Sequence, residues 1–323
     1  MSHDVLVIGA GISGLVTASQ LQAAGARVVV LEASARPGGA IGTRREEGIL
    51  VESGPNSMLE TTPHIGELVR ACGLEAERVE PGPEAKKRFI LRGGRLLPVP
   101  TSPGAFLGTP LFSWGAKLAL AREPFVGRGS PGREETVADF VRRRLGSEFL
   151  DYAINPFVSG VYAGDPEKLA VRAAFPRLFE LEVRYGGLIR GQILGARERR
   201  RNAEKAKNAA AMMSFRSGMQ TLTDAMAARI EGLVLDAPVV GMEAVGSGFR
   251  ATTTDGRVFD ARAAVVAVPA YAARALVAGL APDAAHALGE MTYPPVAAVV
   301  SAYRREDVAH PLDGFGFLRR MAT

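Results

Sequence analysis

A short apolar strand running through Gly-x-Gly-x-x-Gly into a helix, a second strand closed by an acid, and a break in this pattern near residue 81 predict an α/β fold. Its expected parts are a Rossmann-type nucleotide-binding domain, a mixed sheet, and an inserted, mostly helical domain. Residues 5–8 read as a buried strand, 12–24 as a helix stopped by Gly25, and 27–31 as a second buried strand. A glycine-rich stretch (36–42), a turn at 53–56 and a helix over 61–73 with Pro63 in its first turn come next. Residues 89–91 and 95–97, joined by Gly93-Gly94, read as a hairpin, and a Pro/Gly-rich passage (98–110) leads into helices and loops as far as about 212. Strand patterns return at 238–243, 249–253, 257–259, 263–268 and 296–303, with Thr254-Asp255-Gly256 as a turn. The expected division is 1–80 and 213–270 for the nucleotide-binding domain, further strands from 285–323, and 81–212 for the helical insertion.

The chain of 323 residues, 47% of them hydrophobic, has room for two domains and enough apolar material for a core without staples. Its single cysteine, Cys72, excludes an intrachain disulfide, suits a reducing compartment and reads as a small core residue at a helix end. The net charge of +5 gathers at 142–144 and 197–207, both read as solvated helix faces. Aromatic residues make up only 7%, too few for the stacking expected of a nucleic-acid reader, so no nucleic-acid partner is expected. An anionic membrane surface or an acidic substrate suits that charge equally well. The four histidines have no metal-ligand spacing, and no metal is expected. The first strand leaves no space for a leader, and no run approaches the length of a membrane span. A cytoplasmic location is expected, with peripheral contact at the inner face of the membrane left open.

Gly9, Gly11 and Gly14 stand between strand and helix, where the first makes a tight turn, the second admits a pyrophosphate and the third lets helix and strand pack closely. Ala10, Ile12 and Ser13 complete the turn and bring free N–H groups to the helix start, where phosphates bind. Glu32, followed by Ala33, closes the second strand about twenty residues on, the place of an acid that takes ribose hydroxyls and rejects a 2′-phosphate. Arg36, Gly38, Gly39 and Ala40 extend the nucleotide loop with a cation and bare backbone suited to a pyrophosphate and a ribityl chain, which favours FAD over NAD. Gly54, Pro55, Asn56 and Ser57 would then bring backbone to the isoalloxazine end.

The stretches VIGAGISGL (7–15), LEASARPGGAIGT (31–43) and VESGPNS (51–57) resemble the flavin amine oxidase superfamily. KKRFILRGGRLLPVP (86–100), VSGVYAGDPEKLAVRAAFPRL (158–178), VVAVPA (265–270) and DGFGFL (313–318) are similar to its FAD-dependent, oxygen-using protoporphyrinogen oxidases. The resemblance implies an FAD domain, a mixed-sheet substrate domain and a helical, membrane-associated domain. It implies oxidation of protoporphyrinogen IX to protoporphyrin IX, with hydride passing to flavin N5 and dioxygen reoxidising the flavin. It places Arg88 at a substrate propionate, Gly160 near the macrocycle, Phe315, Gly316 and Leu318 around the ring, and Val239 at the adenine. No side chain is assigned to bond-breaking chemistry, because the cofactor carries it. Coproporphyrinogen III oxidation, another flavin oxidoreductase and a non-catalytic flavin-binding fragment stay open. So do a homodimer and a hand-over to the next enzyme of haem synthesis. Members of the resembled family continue well beyond residue 318, so the sequence reads as ending early. Weak or incomplete FAD retention is expected, and tight, stoichiometric flavin in the purified chain would contradict it.

Overall fold

The structure, a computed structural model, describes residues 3–83, 85, 87–129, 134–195 and 211–320. The basic run at 197–207 therefore lies outside the described residues. The chain divides into two compact units, one of Met1–Glu80, Lys205–Tyr293 and Ala298–Val300, the other of Pro81–Glu204, Pro294–Ala297 and Ser301–Thr323.

In the first unit, β1 (His3–Ile8), α1 (Ile12–Ala23) and β2 (Val28–Leu31) open a six-stranded sheet. Its strand order is Leu233–Val234, β2, β1, Val258–Val266, Gly248–Thr253, Val239–Val245. The first four strands are parallel and the last two antiparallel, so the sheet is mixed. Strand alternation with both faces covered explains why β2, and β1 from Val5 onward, are apolar. Val7, Val28 and Val30 face Leu15 and Ala18 of α1 and Leu222 and Met226 of the helix Gln220–Ala227. Leu6, Ile8, Val29 and Leu31 face Leu276 of the helix Ala270–Val277. Each such fully buried side chain contributes roughly 1.5–3 kcal/mol of transfer free energy. α1 stops where Gly25 takes φ +85°, a conformation costly to any residue with a Cβ. Cys72 follows the helix Pro63–Ala71, packs half-buried against the first of these cores, and burial pushes its thiol pKa up.

Three expected strands differ. Residues 257–259 and 263–268 belong to one continuous strand, Val258–Val266. Its centre is the fully buried Ala261, paired with His3 on one side and Phe249 on the other. A small residue carries little hydrophobic period, so a central, tightly flanked position reads as a gap. Residues 296–303 form no strand: they are exposed, Val299 by 89%, and pair with no neighbour among the described residues. Strand propensity without a partner supplies no ladder hydrogen bonds.

In the second unit, Lys87–Arg92 pairs antiparallel with Arg95–Pro98 and parallel with Gly314–Arg319. Gly93 and Gly94, both at positive φ (57° and 73°), make the tight turn. The side chains of Ser102, Ser113 and Thr136 cap three helices by accepting from the amides of Ala105, Ala116 and Asp139. Phe112 and Phe149 stack at 4.3 Å with Phe106 beside them, forming a core with Ile90, Leu111 and Leu318. Among the described residues, no helix is long and apolar enough to cross a membrane.

The run at 142–144 is not a solvated face throughout. Helical spacing places Arg144 on the same stripe of Val137–Leu145 as Val137, Phe140 and Val141, so its guanidinium is carried inward. There it donates to Glu123 at 2.8 Å and to Glu182 at 3.1 Å, while Glu123 also accepts from the amides of Leu188 and Ile189. Arg143 joins Glu182 to Glu135. Burial by itself would raise the Glu182 pKa; hydrogen bonds from Arg144, then Arg143 and the Gly129 amide, outweigh it and hold the carboxyl down at about 2. The folded-state pKa lies below the ordinary value of 4.5, so this contribution to stability is complete above about pH 4.5 and lost as pH falls toward 2. Near-ultraviolet circular dichroism of urea melts should show midpoints falling across that window. Arg144→Met, which leaves the buried Glu123 without its cation and Glu182 with Arg143 alone, should cost about 3–5 kcal/mol in the same melts, and a loss below about 1 kcal/mol would contradict the assignment.

Candidate functional site

The turn after β1 is built by close backbone contact. Gly9 sits at φ +102° and donates its N–H to Leu31 O at 2.8 Å; a Cβ there would press on Ala267 and Val268. At Gly14 a Cβ would overlap the Gly9 carbonyl oxygen, so α1 crosses directly against the turn. Gly11 differs from both: a Cβ there meets nothing within 4 Å. The chain itself does not need this position bare, but a ligand at the start of α1 does. Ile12 and Ser13 open that first turn, whose amide N–H groups lack intrahelical partners and favour an anion.

Glu32 is held beside this turn, its carboxylate accepting from the Ala10 amide at 2.7 Å and from the amide and hydroxyl of Ser34 at 2.9 and 2.7 Å. With Gly9, Ala33 and Val239 it lines a cavity of about 400 Å³, a size typical of small-molecule sites. The structure thus brings to one cavity residues chosen more than 200 positions apart. Sequence reasoning missed Ala237, Pro238, Val268, Ala272 and Leu276, which also line it. They are small or apolar residues at element ends, and their one available signal was proximity to Val239 and to the strand ending near 268.

The following loop is fixed to the first. The Gly38 N–H donates to Ala10 O at 2.8 Å, and a Cβ on Gly39 would come within 3.2 Å of Gly11 Cα. Arg36 clamps its own loop, donating to the carbonyls of Ile41, Gly39 and Pro37 at 2.8, 3.0 and 3.1 Å. Gly54 crosses Ala40 so closely that a Cβ would overlap the Ala40 carbonyl. Pro55 and Asn56 are exposed beyond it, with the Ser57 hydroxyl donating to Asn56 Oδ1 at 3.0 Å. A polar set that the sequence did not single out anchors these loops. Glu52 accepts from the Met219 amide and the Thr43 hydroxyl, while Thr43 and Gln220 exchange backbone-to-side-chain bonds.

The five expected substrate residues gather in the second unit. Gly160, on the helix Asn155–Tyr162, has Leu318 against it so tightly that a Cβ would collide with the leucine side chain. Gly316 stands opposite Arg88 in the sheet, and the Arg88 guanidinium carbon lies 5.7 Å from the centre of the Phe315 ring. Lys87 pairs with Asp313 and Arg92 with Glu148. Arg88, on the same strand, has no carboxylate partner among the described residues. No group of three or more His, Cys, Asp or Glu among the described residues is arranged to hold a metal.

The sequence model of the family described as flavin containing amine oxidoreductase matches residues 12–320. The chain belongs to this family. Among its relatives, the chloroplastic protoporphyrinogen oxidase of Oryza sativa subsp. japonica is 38% identical over 341 residues, covering 98% of this chain and 63% of that protein. The coproporphyrinogen III oxidase of Bacillus subtilis (strain 168) is 27% identical, covering 97% of this chain and 69% of its own length. The solved structure of cyclohexylamine oxidase from Brevibacterium oxydans IH-35A superposes with a TM-score of 0.63 at 23% identity, over 90% of this chain and 63% of that one, a likeness of fold. The chain spans less than two thirds of the length of the rice relative.

FAD is the cofactor of this chain, and the residues present fit it: open space at Gly11, a first turn of α1 whose amides have no intrahelical acceptor, a fixed acid and a cavity of about 400 Å³ beside it. Gly11→Val should therefore leave the melting temperature of the flavin-free chain unchanged within about 2 °C while abolishing FAD binding. Gly14→Val should lower both. Thermal melts and flavin fluorescence titrations check this, and equal effects of the two substitutions would contradict it.

Proposed function

We propose that this chain serves the oxidation of protoporphyrinogen IX to protoporphyrin IX, with dioxygen as the final oxidant. The observation that carries the reading is Arg88: of the three cations on its strand it alone lacks a carboxylate among the described residues, and it stands among the ring of Phe315, Gly316 and Leu318. Such a place suits a large apolar ring with carboxylates along one edge. Arg88 would take a propionate, Phe315 and Leu318 would cover ring surface, and Gly160 and Gly316 would let the chain approach closely. Bound FAD supplies hydride acceptance, and dioxygen leaves as hydrogen peroxide. The similarity to the rice enzyme supports this substrate, and that to the Bacillus enzyme supports coproporphyrinogen III as the alternative. One unneutralised cation favours the substrate with fewer carboxylates. Exposed Trp114, Leu118 and Phe125 support peripheral contact with a membrane, on which we place a cytoplasmic protein at the inner face.

Porphyrin fluorescence after adding protoporphyrinogen IX or coproporphyrinogen III under air to the FAD-loaded chain, beside flavin bleaching by a panel of amines, tests the reading. A porphyrin signal faster than autoxidation, larger for protoporphyrinogen, is expected; flavin bleaching by amines alone would overturn it. Arg88→Ala should raise KM about ten-fold or more, the worth of a charge-assisted hydrogen bond, with FAD binding unchanged.

A further inference from the structure

We propose that Phe315 is a positioning residue for Arg88, holding its guanidinium so that this cation selects ligands carrying a free carboxylate. The inference rests on the reading of Arg88 given above. It starts from a register irregularity. Gly314 pairs with Lys87 and Gly316 with Arg88, which leaves Phe315 as an extra residue without a partner across the strands. Such bulges re-aim a side chain, and here the ring lies 5.7 Å from the Arg88 guanidinium carbon, within cation–π range.

Both neighbours of Phe315 are shaped for this bulge. A Cβ on Gly314 would strike the ring of Phe89 and the Lys87 carbonyl, and Gly316 sits at φ +155°, which residues with a Cβ rarely adopt. Phe315 itself is half exposed, so packing alone does not account for an aromatic side chain at this point.

The strand holds its cations in two ways. Lys87 and Arg92 are held by the carboxylates of Asp313 and Glu148, which cancel their charge, and Arg92 lies over the Tyr152 ring as well. An aromatic face restrains a long, flexible arginine and leaves its charge and N–H donors available. Arg88 is the cation that has an aromatic face beside it and, among the described residues, no carboxylate, and an arginine so restrained loses less freedom when it meets a carboxylate.

The test titrates protoporphyrin IX and its dimethyl ester into the FAD-loaded chain, following the porphyrin absorption band. The wild type should prefer the diacid. Phe315→Leu should cut that preference about five-fold, weakening the diacid more than the ester at an unchanged melting temperature; Phe315→Trp should keep the preference, and in an Arg88→Ala background Phe315→Leu should no longer distinguish diacid from ester. Equal weakening of diacid and ester by Phe315→Leu would overturn the proposal and make the ring an apolar wall. A wild type that binds neither compound, or binds both alike with Arg88→Ala without effect, would overturn the reading of Arg88 and the proposal with it.

Discussion

α1 meets the turn after β1 at a distance that no side chain could share: the Gly9 carbonyl occupies the place where a Cβ of Gly14 would stand. The rest of the first unit's site depends on that contact. It fixes the direction of α1 and therefore where the unpaired amides of its first turn point. It sets the Ala10 peptide so that the N–H meets Glu32 and the carbonyl meets Gly38. Two further loops are thereby registered against the first, and Gly39 and Gly54 keep the successive crossings close. A nucleotide site of this kind consists mostly of backbone, so its requirements fall on glycines and on one acid.

The second unit solves a different problem. Its helices are short, and three of its segments meet around the buried Arg144, where Glu123 and Glu182 are tied both to the arginine and to backbone amides. Charges taken out of water need such complete pairing, because a carboxylate left alone there would cost several kcal/mol. On the strand Lys87–Arg92 the pairing is deliberately incomplete. Lys87 and Arg92 are neutralised, Arg92 lying over Tyr152 as well, while Arg88 has the Phe315 ring beside it and no carboxylate among the described residues.

What the sequence disclosed follows the range of the forces involved. The elements from 3 to 31 were legible because turn, caps and apolar period are local, and Glu32 because its spacing from Gly14 follows from one helix and one strand. The cavity partners at 237–240 depend on how distant strands order themselves, and only the resemblance singled out Val239. Arg36 illustrates a role hidden from sequence: its loop folds back on it, so the guanidinium serves the carbonyls of residues 37, 39 and 41. Arg144 looked like surface charge because composition reports a run of arginines and helical phase decides which of them turns inward. Residues 296–303 show the converse, strand-forming side chains without a strand to pair with among the described residues.

On our proposal the first unit grips the adenosine diphosphate half of FAD through Gly11, Glu32 and the cavity beside Val239. Competition for flavin binding tests it most directly: FAD is bound to the chain, and ADP or FMN is added while flavin fluorescence is followed. ADP should displace FAD and FMN should not compete at the same concentration. Displacement by FMN with no effect of ADP would place the grip on the flavin half and contradict the claim.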